Sequence, residues 1–431
     1  MARIVLNTFG SLGDLHPYLA IAIELRNRGH DPVIATCEVY RQKVLAERIA
    51  FAPVRPDVGL KMNDAKFIEK LWHPRRGGEF LLRDYLVPHI EQTYEDLVRA
   101  CQGADLLLTH GAAIAGPTAA EALKLPWLSL VLQPILFFSA YDPPVISGFE
   151  WARHVYPFGA GVFQALMGIA RLQLKNWAAP IYKLRQRIGL PASRLNPLID
   201  VFSPSGTLAL FSKSFAEPQP DWPPNTHVTG FVYYDRLGEF AGASEDDPEE
   251  VEIFLRSGPP PILFTLGSSA VMHPGEFFRE SIAAVHELGA RAVLLAGKGK
   301  DDIHNPLPDS ILVGGYLPYS KIMPRAAAIV HQGGIGTTAQ ALRAGRPMLV
   351  TPWSHDQPDN AERVRRIGAG RRIPRNRYYA PRVANELRTL LTDTGYFERA
   401  RDIAWQIAQE DGIANACDVI EEKVGLPFLA H

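Results

Sequence analysis

His331, Gly334, Gly336, Thr337 and Thr338 fall within one stretch, HQGGIGTT, set between a short apolar run (Ala327 to Val330) and a helical stretch, TTAQALRAG. Strand, glycine turn, helix and a second apolar run at Met348 to Val350 make one βαβ unit. The glycines let the backbone approach a ligand closely, and the helix start offers free N–H groups and the positive end of its dipole. That combination suits a phosphate or diphosphate, with the imidazole before the turn and the two hydroxyls after it as further donors. The next loop, SHDQPDN, carries Asp356 and Gln357. It should emerge at the same carboxyl edge of the sheet, where ligands of open α/β sheets bind. A carboxylate beside an amide there can hold vicinal hydroxyls, so these residues together suit a nucleoside-diphosphate sugar.

A second candidate lies near the start of the chain. RIVLNTF (3–9) reads as a buried strand, Gly10-Ser11-Leu12-Gly13-Asp14 as a turn, and HPYLAIAIELRNRGH as a helix stopped at Gly29. DPVIATC is then a second strand. The opening is Rossmann-like, but the G-x-G-x-x-G fingerprint is missing, and Asp14 stands where a pyrophosphate would meet repulsion. Glu38, ending the second strand, could imitate an NAD ribose ligand, yet the loop is wrong for one. Asp14 has two compatible readings: the N-cap of a helix beginning near Pro17, or a general base at a domain cleft. His16 is the fallback base, and its plainer reading is a solvated first-turn residue. His110, ending the strand-like ADLLLTH (104–110), could face the cleft, but a lone His at a strand end is more often structural.

The elements that must hold these groups come in two series. In the first, PWLSLVL follows as a strand and TLALFSKSF (207–215) as the last strand. Proline-rich sequence, EPQPDWPPNTHVTGFVYYDR, then leads into the acidic segment LGEFAGASEDDPEEVE, which marks a linker. ILFTLG opens the second series, with Gly267-Ser268-Ser269 as the turn before a helix near Pro274 to Leu288, and RAVLLAG, SILVGGY, AAIVHQ and PMLVTP as later strands. The expected organisation is a first Rossmann-like domain over 1–220, a linker over 221–250, a second Rossmann-like domain over 251–405, and a C-terminal helix over 406–431. Residues 133–182 are rich in aromatics. Phe137, Phe138, Tyr141, Trp151 and Phe163 are candidates for an apolar acceptor wall there, although Phe and Leu at helical spacing also make ordinary core.

Size and composition set bounds. A chain of 431 residues suits two domains, and 47% hydrophobic with 21% charged residues is globular. A net charge of −1 gives no case for a nucleic-acid partner. Cys37, Cys101 and Cys417 are scattered without metal-ligand spacing, which points to a reducing compartment. The chain opens directly on a strand-like run, so no signal peptide is expected, and no apolar run reaches the roughly 18 residues of a membrane span. The expectation is a cytoplasmic protein. The arginines Arg365, Arg366, Arg371, Arg372, Arg375 and Arg377 suit a solvated helix face, with peripheral contact at the inner membrane face as the alternative.

GYLPYSKI, HQGGIGTT, RAGRPMLVTP and HDQPDNAERV, in that order and spacing, resemble the donor-binding signature of GT-B glycosyltransferases of family 1. The tail and the stretch DWPPNTHVTGF resemble bacterial rhamnosyltransferases of rhamnolipid synthesis. The resemblance implies an α/β fold of the GT-B kind, two Rossmann-like doubly wound domains facing across a cleft, with the last helix bracing the first domain. It implies that Asp14 is the base that deprotonates an acceptor hydroxyl, since antibiotic, sterol and rhamnolipid enzymes carry G-x-x-G-D there. The supporting acid of the plant dyad has no counterpart in THGAAIAG, so Asp14 is expected to act without a dyad. Ser268 and Ser269 become diphosphate candidates. Tyr316, followed by Leu317, replaces the base-stacking Trp of the plant signature, and Gln340 replaces its ribose-binding Glu.

The expected reaction is therefore an inverting displacement from a dTDP-rhamnose-type or UDP-glucose donor to a hydroxyl of a hydrophobic small molecule or lipid. The chain has no D-x-D triplet, so no metal or other cofactor is expected. Losing the ribose-binding Glu matters less for a deoxyribose and leans toward dTDP, whereas Thr337-Thr338 resembles the sterol branch, which uses UDP-glucose. Three rivals share parts of this pattern: a GT-B-type nucleotide-sugar epimerase, a catalytically inactive sugar-nucleotide or lipid-binding protein, and a nicotinamide-dependent oxidoreductase.

Overall fold

The computed structural model describes residues 1–61, 64–151, 159–193, 195–235, 248–271, 273–297, 303, 307–315, 317–425 and 427–429. The chain divides into two compact units. One comprises Met1–Gly10, Asp14–Tyr234 and Asp411–His431; the other comprises Ser11–Gly13 and Asp235–Glu410.

Among the described residues the first unit is built on seven strands: β1 (Arg3–Asn7), β2 (Asp31–Thr36), β3 (Ala50–Pro53), β4 (Leu106–His110), β5 (Trp127–Val131), β6 (Thr207–Ala209) and β7 (Thr226–Val228). They run parallel in the order β3-β2-β1-β4-β5-β6-β7. Ile4, Val5 and Leu6 are all fully buried, as are Leu106, Leu107 and Leu108. Consecutive burial, rather than alternation, is what a parallel sheet covered by helices on both faces requires. The direction of winding reverses between β1 and β4. Their carboxyl ends therefore lie side by side, with Asn7 in register with Thr109. This switch point is where an open sheet forms its crevice.

β7 lies in the proline-rich stretch that reads as connector. It is only three residues long and follows Pro223 and Pro224, so it carries too little alternation to be seen in advance. The helix Gly412–Lys423 also belongs to the first unit. Arg28 there binds Asp418 at 2.5 Å and Glu421 at 2.7 Å, and Asn415 Nδ2 donates to the Thr229 carbonyl at 2.9 Å.

Among the described residues the second unit repeats the plan with six strands: β8 (Ile262–Thr265), β9 (Ala292–Leu295), β10 (Ile311–Gly314), β11 (Ala328–His331), β12 (Met348–Val350) and β13 (Gly370–Arg372). They run parallel in the order β10-β9-β8-β11-β12-β13. Here the winding reverses between β8 and β11, with His331 in register with Thr265. The loops after β8, β11 and β12 thus share one edge. Among the described residues no helix is long and apolar enough to cross a membrane.

Candidate functional site

At the switch point of the second unit, His331 ends β11 and is fully buried. Its Nδ1 accepts the Gly333 N–H at 3.1 Å, while its Nε2 is buried without a hydrogen-bond partner. Burial pushes the imidazole down to a pKa of about 3, so it is neutral at physiological pH. With the Nδ1 lone pair occupied, the ring proton sits on Nε2, which is then a donor without an acceptor.

Gly333 has φ +91°, and a side chain there would press within 2.8 Å of Val350 and 3.2 Å of the Gln357 carbonyl. The helix Ile335–Ala344 starts immediately afterwards on Gly334, whose position offers no side-chain cap. Its first N–H groups lack intrahelical acceptors, and no acidic residue stands in its first turn. The backbone here is a ready anion site.

The predicted ligands divide on inspection. Thr337, third in the helix, is buried, with its hydroxyl beside Gly267. Thr338 Oγ1 instead donates back to the Gly334 carbonyl at 3.0 Å, and its side chain is fully buried. The Thr338 hydroxyl is thus turned away from the phosphate role, because a helical Thr readily bonds the carbonyl four residues earlier. Gly336 lies within the first turn and adds its N–H to the set. After β8, Gly267 has φ +65° and opens a short helical turn to Ala270 in which Ser268 is exposed. Ser269 lies in the same turn. Gln332 packs between Gly267 and Gly334 and leaves its buried Oε1 unpartnered.

Tyr316 lies outside the described residues; its neighbour Leu317 is half-buried. Gln340 is largely spoken for: its Nε2 donates to Asp235 at 2.7 Å, an acid that also holds Arg343 at 3.0 Å, and its Oε1 is buried without a partner.

In the loop after β12, His355 takes a left-handed φ of +58°, a conformation that costs a residue with a side chain. Asp356 precedes the helix Gln357–Arg366, and its carboxylate accepts from Asn360 Nδ2 at 2.7 Å. That same amide donates to the Gly333 carbonyl at 2.9 Å. Asn360 thereby ties the glycine turn to the Asp356 loop. It stands in the HDQPDNAERV stretch, but only the folded register shows the link. Gln357 Oε1 accepts the Trp353 N–H at 2.8 Å, so its oxygen serves the loop and only its amide group is left for a sugar.

At the switch point of the first unit, the helix runs Leu12–Asn27 rather than starting near Pro17. Ser11 Oγ accepts the Gly13 N–H at 3.2 Å, so the capping role falls to Ser11. Asp14 sits third in the helix with its side chain 19% exposed. Gly10 has φ +137°, and any side chain there would collide with the Asp14 carboxylate. Tyr40 donates to the Gly10 carbonyl at 2.9 Å and fixes the turn from the other side. His110 Nε2 lies 3.9 Å from Asp14 Oδ1. His16 stacks at a tilt on Tyr234 at 4.8 Å; burial, aided by Lys43, pushes it down to about 3. It is held by this packing rather than solvated.

The aromatic candidates do not form one surface. Phe137 is core, stacked on Trp222 at 4.1 Å and on Phe202 at 5.4 Å. Phe163 is buried, Phe138 half-buried at φ +46°, and Tyr141 and Trp151 are exposed. Aromatic content alone cannot distinguish wall from core. The arginine cluster is likewise dispersed: Arg365 and Arg372 bind Glu362 at 2.6 and 3.3 Å, Arg371 binds Glu386 at 2.5 Å, and Arg375 lies 3.5 Å over the Trp353 ring. Among the described residues no His, Cys, Asp and Glu side chains are grouped as a metal site would require.

Comparison with known proteins adds an independent line. Residues 279–420 match the model for the erythromycin biosynthesis protein CIII-like C-terminal domain, and residues 4–126 match the glycosyltransferase family 28 N-terminal domain. The chain is 34% identical over 443 residues to the O-mycaminosyltylonolide 6-deoxyallosyltransferase of Streptomyces fradiae, covering 100% of this chain and 99% of that protein. It is 26% identical over 450 residues to the sterol 3-beta-glucosyltransferase of Debaryomyces hansenii, covering 97% of this chain but 26% of that longer protein. Among solved structures, the calicheamicin glycosyltransferase CalG4 superposes with a TM-score of 0.73 at 20% identity, covering 99% of this chain and 98% of that one. The spinosyn rhamnosyltransferase SpnG complexed with thymidine diphosphate gives 0.67 at 18% identity, covering 98% of this chain and 100% of that one.

Proposed function

The chain belongs to the GT-B glycosyltransferases, and from that premise we propose that it transfers a sugar from a nucleoside diphosphate to a hydroxyl of an apolar acceptor, with inversion and without a metal. The observation that carries the donor reading is the neutral, buried His331, its Nδ1 pinned by Gly333 and its Nε2 unpartnered beside an uncapped helix start free of acids. Preorganised donors of this kind stabilise a leaving diphosphate without rearranging as the bond breaks. Gly334, Gly336 and Thr337 contribute with it, and Asp356 holds sugar hydroxyls.

Asp14 is the base. It takes the acceptor proton as the hydroxyl oxygen attacks the anomeric carbon and the bond to the diphosphate breaks, its electron pair leaving with the phosphate. Of the donor classes, a thymidine-diphosphate deoxyhexose of the rhamnose type is favoured over UDP-glucose. Gln340 brings no charge, and its Nε2 already serves Asp235, so that donor is not free for a ribose 2′-hydroxyl. The Streptomyces relative, named for 6-deoxyallosyl transfer to O-mycaminosyltylonolide, supports a deoxyhexose, and it and the sterol relatives support an apolar acceptor.

Thermal-shift measurements with dTDP, dTDP-rhamnose, UDP, UDP-glucose, NAD and NADP test this reading. Stabilisation by the thymidine nucleotides, lost in His331→Ala, is expected. Stabilisation by NAD alone contradicts it.

A further inference from the structure

The sheet order brings a second group to Asp14. Because Asn7 of β1 faces Thr109 of β4, the next residue of β4, His110, stands beside the loop that follows β1. His110 is 5% exposed. Its Nδ1 accepts the Ala112 N–H at 3.4 Å, which leaves the proton of the neutral ring on Nε2. That Nε2 makes no hydrogen bond and lies 3.9 Å from Asp14 Oδ1. Tyr18 packs edge-on against the ring at 6.2 Å and holds its plane. The other carboxylate oxygen, Oδ2, lies over the bare Cα of Gly10.

We propose that His110 is a positioning residue for the transfer reaction: its Nε2–H donates to Asp14 Oδ1 and leaves Oδ2 turned to the acceptor hydroxyl. The proposal rests on the reading of Asp14 as base. The acceptor O–H breaks, its proton passes to Oδ2, and His110 keeps its own proton throughout. A rotation of the Asp14 side chain closes the gap, and contacts of this type tighten when substrate is bound. Burial holds the imidazole below its ordinary pKa, against the opposing pull of the Asp14 charge and the Phe9 carbonyl, so it stays neutral. Burial first, and then Asp14 itself, pushes the Tyr18 phenol up; burial does the same to Tyr40, with Cys37, Asp14 and Asp57 adding to it. Both phenols therefore remain protonated and do not compete for the acceptor proton.

Two measurements on the intact chain test this. The first is ¹⁵N NMR of histidine-labelled protein, wild type against Asp14→Asn. The Nε2–H tautomer of His110 is expected in both, with its proton shifted downfield only in the wild type; an Nδ1–H tautomer overturns the proposal. The second is the pH profile of donor hydrolysis, read as dTDP released from dTDP-rhamnose or UDP from UDP-glucose with water as acceptor. His110→Phe should lower kcat by roughly 10 to 100-fold. It should leave KM for the donor within about threefold and move the acid limb to higher pH, because the anionic carboxylate loses a donor. His110→Gln, whose amide reaches the Nε2 position, should keep most of the activity and the wild-type profile, while His110→Asn, which does not reach, should behave like His110→Phe. Equal losses in the Gln and Phe variants with an unmoved acid limb assign His110 a packing role only and overturn the proposal. Undiminished hydrolysis in Asp14→Asn instead removes Asp14 as base, a separate failure.

Discussion

Each sheet of this molecule ends a strand in a buried histidine at its switch point, and the two histidines are held alike. His110 ends β4 and takes the N–H of Ala112 on Nδ1; His331 ends β11 and takes the N–H of Gly333, in each case two residues on. Both leave Nε2 buried and unpartnered. The difference lies in the helix that each edge supplies. Leu12-Gly13-Asp14 and Ile335-Gly336-Thr337 open their helices with glycine second, and the third residue is an acid in one and a hydroxyl in the other. The first edge therefore carries an acid in its helix's first turn, whereas the second carries none and presents neutral donors. In the proposed function, one residue type at one helix position separates the edge that removes a proton from the edge that binds the diphosphate.

The largest effect should come from removing the anion of the first edge. Asp14→Asn should lower sugar transfer by about two to four orders of magnitude, measured as kcat for donor turnover. Giving the second edge the acid of the first should be next. Thr337→Asp places a carboxylate at the same helix position as Asp14 and should weaken dTDP binding by about thirtyfold, roughly 2 kcal/mol, in a calorimetric titration.

A third test sharpens what the two edges share. His331 is held at a pKa of about 3 when folded and returns to 6.5 when unfolded, so between those values the unfolded chain binds a proton that the folded chain refuses. Stability should be full above pH 6.5 and fall as pH falls through that window, by about 1.4 kcal/mol per pH unit from His331. Chemical denaturation from pH 7 to 5 should show this loss, and His331→Gln should remove the His331 share while leaving that of His16, which burial also pushes down to about 3. The smallest effect is expected from Thr338→Ala. Its hydroxyl is committed to the Gly334 carbonyl, so dTDP affinity should stay within about threefold, with a stability change near 1 kcal/mol in the same denaturation assay.

What could be read in advance follows from how far apart the cooperating residues stand. The glycine turn, its histidine and the strands on either side are consecutive, and the apolar runs of β1, β4, β8 and β11 are continuous because both faces are covered. Asp14 is legible for the same reason, although its neighbourhood is not: THGAAIAG holds no counterpart of the plant dyad's acid, and the residue that the parallel pairing of β1 and β4 delivers is an imidazole inside that stretch, His110. Asn360 stood in plain view in HDQPDNAERV, yet its amide bridges Gly333 and Asp356 only once the helix Gln357–Arg366 is wound. Phe137 and Phe163 show the opposite limit. Aromatic side chains at similar spacing make either a wall or a core, and only three-dimensional packing, such as Phe137 on Trp222, decides.

The central claim is that the second edge binds and the first edge reacts. Calorimetric titration of dTDP into Asp14→Asn and Thr337→Asp, beside the wild type, tests it most directly. The account predicts wild-type affinity in Asp14→Asn and a loss confined to Thr337→Asp. Loss of dTDP binding in Asp14→Asn, with affinity preserved in Thr337→Asp, contradicts it and moves the nucleotide to the first edge.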